Sequence, residues 1–410
     1  MDVLHLVHCY YPARGGSEIL FQQISEQLVN TYQDRVTVYT THGYNTGFFV
    51  DPGQPAIPHT ENEQLNGVQI HRFAVNNRIP PRIRRLQIRA YLNEWPLNDV
   101  LRSIYHGPIS WPFLKAVASA HADVVSATSF PYLHMYYAVI GRRFNRLPLV
   151  LHGALHPDDR WSYDRRVIYK AIAACDIYLA NTAFERDHVI AKGMAPDRVR
   201  IASPGVDPGP FATADGASLR HELGWADEPV VAYVGQQAAH KGIETLYQAM
   251  RPVWRTIPEA RLLVAGGRTP YSEKLDALLA EFTVEERDRI RILPNFDEEE
   301  KARIYAACDI FVSASGFESF GITFLEAWSA GKPVIGCRSG AIPTVITEDQ
   351  DGLLVPYQDA PELANALIRL LQDGRLREQL GQRGREKVCS NYTWEIAAQR
   401  FRAAYESAIK

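Results

Sequence analysis

Apolar residues in this chain follow two rhythms. Short β-branched or aliphatic runs at 3–7, 36–39, 68–73, 124–127, 149–152, 177–180 and 199–202 read as buried strands, and amphipathic stretches with helical spacing lie between them. Strand alternating with helix predicts βαβ units around a parallel sheet. After Asp207 the pattern lapses into GVDPGPFATADGAS, which has no period for helix or strand and is read as a linker. The alternation restarts at 230–234, 261–265, 290–293, 310–313, 333–336 and 353–355, predicting a second parallel sheet. Trp394, Ile396, Ala397, Phe401, Ala404, Tyr405 and Ile409 keep helical spacing with no strand after them, so the chain is expected to close on a helix.

A length of 410 residues exceeds what one core usually organises. The expected class is α/β, with a doubly wound Rossmann-like domain over 1–206, a second over 207–389 and a closing helix over 390–410. Open α/β sheets bind ligands outside the carboxyl ends of their strands, so chemistry is sought in the strand-to-helix turns.

Three turns qualify. Gly15-Gly16-Ser17-Glu18 opens a helix carrying Leu20, Ile24 and Leu28; it reads either as an anion or hydroxyl site or as a plain tight turn capped by Ser17. Gly235-Gln236 and Lys241-Gly242 bound a loop after the 230–234 strand, with Lys241 where a phosphate-binding cation would stand or where a solvated lysine would lie. Glu318 precedes a glycine turn and Glu326 lies inside the following helix, which ends at Gly331 and Pro333. Carboxylates accept hydroxyl hydrogen bonds, while N–H groups at a helix start suit phosphate.

Charge and composition narrow the classes. With 44 Lys and Arg against 47 Asp and Glu, the net charge of −3 gives no global attraction to nucleic acid. Five scattered cysteines form no C-x-x-C, the first residues lack a basic then apolar leader, and no window is apolar enough to span a bilayer. The expected location is cytoplasmic, extending to the inner membrane surface. The loops match neither G-x-G-x-x-G nor a Walker sequence, and no H-E-x-x-H pairing suggests zinc. Asp349-Gln350-Asp351 fits a D-x-D metal pattern but precedes a late strand and is read as a polar turn. Arg78, Arg82, Arg84, Arg85 and Arg89, interleaved with Ile79, Ile83, Leu86 and Ile88 and interrupted by Pro80 and Pro81, form either a solvated face or a surface for a membrane or an acidic acceptor.

The GGSE turn, the VGQQAAHKG loop and the E-x7-E segment with EAWSAGKPV together resemble the retaining, nucleotide-sugar-dependent glycosyltransferases of family four. The resemblance implies a GT-B fold, in which two Rossmann-like domains face a cleft, with the acceptor on the first domain and the sugar nucleotide on the second. It implies no essential metal and no resident cofactor. By the same resemblance Glu326 holds the donor ribose, Glu318 and His152 face the transferred sugar, and Lys241 binds the pyrophosphate. Gly16, Gly235, Gln236, Ser319, Phe320, Gly321 and Ile322 line the donor. Ser203-Pro204-Gly205-Val206-Asp207 looks like the family's turn near the hinge.

One departure stands out: Gln236 occupies the place where the family commonly has an arginine sharing the diphosphate charge, and His240 and Arg338 are candidates to compensate. The expected activity is sugar transfer to a carbohydrate, lipid-linked or small-molecule acceptor in glycan, glycolipid or glycoconjugate biosynthesis. A non-catalytic sugar-nucleotide binder and a GT-B epimerase or phosphorylase are the competing readings. The acceptor-binding residues are not legible.

Overall fold

The computed structural model describes residues 1–58, 63–159 and 161–410. Among these residues the chain forms two units: Met1–Ser203 together with Trp394–Lys410, and Pro204–Thr393.

The first unit is built on strands β1 (Asp2–Val7), β2 (Arg35–Thr41), β3 (Glu63–Leu65), β4 (Val68–Phe73), β5 (Val124–Thr128), β6 (Leu149–His152), β7 (Ile177–Ala180) and β8 (Val199–Ile201). Their order is β3-β4-β2-β1-β5-β6-β7-β8, parallel except for β3 against β4. Every residue of β5, β6 and β7 is buried, which is why these strands read as continuous apolar runs. Near the edge, β4 alternates buried with exposed positions.

The second unit holds β9 (Val230–Val234), β10 (Arg261–Ala265), β11 (Ile290–Leu293), β12 (Ile310–Ser313), β13 (Val334–Cys337) and β14 (Gly352–Val355), all parallel, in the order β11-β10-β9-β12-β13-β14. Strand order reverses between β1 and β5 in one sheet and between β9 and β12 in the other. Connections leave in opposite directions at such a point and open a crevice at the carboxyl ends.

The terminal helix Trp394–Ile409 packs on the first unit although it follows the second in sequence. Phe401 lies edge-on to Phe21 with ring centroids 6.1 Å apart, and buried Tyr405 OH lies 2.9 Å from His5 Nε2. Arg402 Nε pairs with Asp34 at 3.0 Å. Burying the two aromatic side chains supplies about 2–3 kcal/mol each.

Three local readings are corrected. The segment after Asp207 contains helices Pro208–Thr213 and Gly216–Glu222, because Asp207 accepts from Gly209 N at 2.9 Å and Asp215 from Ala217 N and Ser218 N at 3.0 and 3.1 Å. The closing helix begins at Trp394 rather than 390, since Ser390 and Asn391 complete the helix Gly374–Asn391. Pro80 and Pro81 open the helix Ile79–Leu92 rather than interrupt it, because the first turn needs no intrahelical N–H donors.

Candidate active site

In the second unit, two loops at the β9/β12 crossover lock together. Gly242 sits at φ +69°, where a Cβ would come within 2.0 Å of Ala314 O, so only glycine permits this approach. Gly316 N donates to His240 O at 2.8 Å, and the His240 ring stacks on Phe317 with centroids 4.7 Å apart. Gly235, at φ +153°, turns the chain out of β9; Tyr233 OH then donates to Gln236 O at 2.7 Å.

This locking places Lys241 Nζ 2.7 Å from Glu318 Oε1, an oxygen that also accepts from Ser315 Oγ at 2.7 Å. Both charged side chains are partly buried. At an effective dielectric near 20, two unit charges about 4 Å apart attract by about 4 kcal/mol, most of which offsets lost hydration.

Gly321, at φ +94°, caps the helix Ile322–Ser329 with no side-chain acceptor at its start. Ser319 and Ile322 are half-buried at this end, whereas Phe320 is buried in the core and packs on Tyr392, leaving only its backbone to line a ligand. Glu326 is buried, accepting from Tyr305 OH at 2.7 Å on one oxygen and ion-paired with Lys301 on the other. Each carboxylate oxygen has two lone pairs, so further donors fit.

In the first unit, Gly15 extends into the helix Gly16–Tyr32, which lacks a side-chain cap; Ser17 does not serve as one. A Cβ on Gly15 would strike the Glu18 carboxylate, while one on Gly16 would meet open space. Glu18 is buried, 3.1 Å from His8 Nε2, and the His8 ring stacks on Tyr132 with centroids 4.3 Å apart. Burial pushes the Glu18 carboxyl up, but the charge and hydrogen bond of His8 and a backbone N–H hold it below the usual range. These groups sit at the β1/β5 crossover, and the sequence reading, which had Glu18 in its turn, missed His8 and Tyr132 because they are 124 positions apart.

His152, expected beside the transferred sugar, lies at the carboxyl end of its strand. It ends β6 fully buried, with Nδ1 3.0 Å from Thr128 Oγ1 and Nε2 2.7 Å from Asn181 Oδ1, and its ring packs against Phe401. Burial lowers its pKa to about 4, although the Asn181 contact favours the charged form. In this structure both ring nitrogens are engaged inside the unit. His156, half-buried four residues on, packs against Tyr163 at 5.1 Å.

Arg338 pairs with Glu348 and donates to Leu354 O, which commits it to the sheet margin. Gln236 is exposed. Asp351 is buried against Lys387 at 2.7 Å and accepts from Thr347 N, while Asp349 pairs with Arg369, so the D-x-D segment is a structural turn. A hollow of about 470 Å³ at the carboxyl end of β4 is lined by Asn76, Asn77, Arg78, Ser110 and the largely exposed Trp111. The sequence carried no signal for it beyond an isolated tryptophan.

Two family profiles match the chain: "Glycosyltransferase Family 4" over residues 14–209 and "Glycosyl transferases group 1" over 217–387. A D-inositol 3-phosphate glycosyltransferase of Segniliparus rotundus is 33% identical over 58% of this chain and 54% of its own length. One of Stackebrandtia nassauensis is 30% identical over 71% of this chain and 67% of its own. The chain thus spans little more than half of the first of these curated relatives. Among solved structures, Anabaena HepE in complex with UDP and glucose superposes with a TM-score of 0.75 at 19% identity, covering 99% of this chain and 100% of that one. Two tandem parallel-sheet units of this kind make the GT-B fold, and the chain belongs to glycosyltransferase family 4.

Proposed function

We propose that this chain transfers a sugar from a nucleoside diphosphate to an acceptor hydroxyl with retention of anomeric configuration. The observation that carries the reading is the Lys241–Glu318 pair at the β9/β12 crossover, beside the uncapped start of the helix Ile322–Ser329. Diphosphate displaces Glu318 from Lys241 and lies against the N–H groups after Gly321, while the released Glu318 meets hydroxyls of the sugar. Glu326 takes the ribose hydroxyls, held in place by Tyr305 and Lys301.

The bond from the anomeric carbon to the phosphate oxygen breaks and a bond to the acceptor oxygen forms on the same face. The acceptor's proton passes to the departing phosphate oxygen. Lys241 and the N–H groups carry the developing charge, so this reading requires no divalent cation and no resident cofactor. The hollow at Trp111 suits an acceptor: an aromatic face takes the apolar side of a sugar ring, and Asn76 and Asn77 bond its hydroxyls. The acceptor class is a carbohydrate, a lipid-linked sugar or a small molecule, not nucleic acid; the names of the curated relatives make inositol phosphate one to assay.

The test is calorimetric titration of UDP, GDP, ADP and their sugar conjugates into the wild type and Glu326→Ala, with released nucleotide measured in parallel. UDP comes first because HepE was solved with it. Losing hydrogen bonds to a charged group predicts about 10- to 100-fold weaker nucleotide binding in the variant. Binding without turnover across varied acceptors would favour a non-catalytic binder, the reading to which exposed Gln236 lends support. Absence of any diphosphate binding would defeat both.

A further inference from the structure

The helix Ile79–Leu92 is inside-out. A surface helix normally turns its apolar stripe to the core. Here the buried positions are Pro80, Gln87 and Ala90, while Leu86, Ile88 and Leu92 face solvent and Tyr91, packed on Trp161, stays partly exposed. The exposed apolar character continues through Trp95 and Leu97 to Val100, at the start of the helix Asn98–His106 packed beside it. Seven of the fourteen exposed large hydrophobic residues among those described fall between 86 and 100, with Leu92 at 73% and Leu97 at 66% exposure. Single exposed hydrophobics need no explanation, but a contiguous set marks an interaction surface.

The first of these helices carries a local charge that the whole chain lacks, while the link and the second helix add Glu94 and Asp99. Residues 78–92 contain five arginines and no acidic residue, against a net −3 overall. All five are exposed, and among the described residues none of them meets a carboxylate. A solvated arginine face would account for the charge but not for Leu92, Trp95 and Leu97. A second copy of the chain related by a two-fold axis would set these arginines against their own counterparts. Arginines interleaved with leucine and tryptophan fit a surface that is anionic at its boundary and apolar just beneath, because the long aliphatic stems let the charge stay at the boundary while neighbours insert.

We propose that the surface formed by the helices Ile79–Leu92 and Asn98–His106 and the 93–97 link docks on an anionic lipid bilayer. No helix among the described residues is long and apolar enough to cross a membrane, so the contact lies in the interface plane. The proposal stands independently of the sugar-transfer reading.

The test is co-sedimentation of the full chain with phosphatidylglycerol vesicles and, separately, phosphatidylcholine vesicles, at low and high salt. Binding is expected to the anionic vesicles only and to weaken with salt. Arg84→Gln with Arg85→Gln removes two charges worth about fivefold each, so affinity should fall about 30-fold. Leu92→Ser with Leu97→Ser, both at exposed positions, should reduce binding with the arginines intact. Circular dichroism and gel filtration confirm that each variant is folded. Folded wild type that ignores anionic vesicles would overturn the proposal. So would a concentration-dependent dimer abolished by the leucine changes, which would assign the surface to a second copy, or binding insensitive to both pairs of substitutions.

Discussion

Mild acid should unfold the first unit. Four of its histidines, His5, His106, His134 and His152, are held neutral chiefly by burial, which pulls them to about 3, 4, 3 and 4. In the unfolded chain each titrates near 6.5. Between those values the unfolded chain binds protons that the folded unit does not, so the stability these histidines confer is present above about pH 6.5 and is lost as pH falls towards 4. From pH 7.5 to 5 each costs about 2 kcal/mol, or about 8 kcal/mol for the four. Glu185 works the other way: burial raises its carboxyl to about 7 despite bonds from Tyr178, Asn181 and Leu155, so the folded unit keeps a proton the unfolded chain releases. That returns about 2 kcal/mol over the same descent. The remaining loss of about 6 kcal/mol matches the whole stability of a typical domain. His188, lowered by partial burial and by Lys192, adds to it. The assay is an acid titration followed by circular dichroism and hydrogen exchange, with Trp225, Trp254 and Trp328, all buried in the second unit, as fluorescent reporters of that unit. Amides of the first unit should lose protection first, with net uptake of about three protons. Uptake of less than one proton, or earlier loss in the second unit, would refute the reasoning.

The donor reading separates two charges that now neutralise each other. Lys241→Ala should weaken diphosphate binding and cut turnover by about 100- to 1000-fold, whereas Glu318→Gln should leave diphosphate affinity equal or tighter while turnover falls, since Lys241 no longer has to exchange partners; calorimetry beside single-turnover kinetics distinguishes them. Gln236→Arg restores a cation at an exposed position and should raise kcat/KM by about tenfold, less than a buried contact would because water screens it. Trp111→Ala should raise the acceptor KM about tenfold with nucleotide affinity unchanged, read from initial rates at saturating donor.

Strands were legible where parallel strands buried on both faces must be apolar throughout, as at 149–152, 177–180, 230–234, 261–265 and 310–313, which coincide with β6, β7, β9, β10 and β12, while β4 (68–73) and the edge strand β11 (290–293) showed through alternating apolar positions. The short β3 was not, since Glu63-Gln64-Leu65 pairs at an edge where burial imposes no pattern. Helices of six and seven residues after Asp207 escaped because capping by Asp207 and Asp215, not periodicity, defines them. In the second unit the glycine spacing around Lys241 and Glu318 announced the loops, but not that Ser315 and Tyr305 complete their hydrogen bonds. His152 shows the limit of local context. A histidine at a strand end looks the same in sequence whatever surrounds it, and its partners Thr128, Asn181 and Phe401 are distant in the chain.

The return of the terminal helix has a consequence for biosynthesis. The chain leaves the first unit after Ser203 and re-enters it at Trp394, and the two crossings run together, with Val206 N bonded to Tyr392 O at 2.8 Å and Val206 bridged to Thr393. The second unit is thus a continuous insertion that can fold as soon as its own residues emerge from the ribosome. The first unit, begun earlier, waits: His5 lacks Tyr405, Asp34 lacks Arg402 and Phe21 lacks Phe401 until residues 394–410 have been made. Order of synthesis and order of completion are therefore reversed, and it is the first-made unit whose apolar face stays uncovered longest, the segment a nascent-chain chaperone would have to shield.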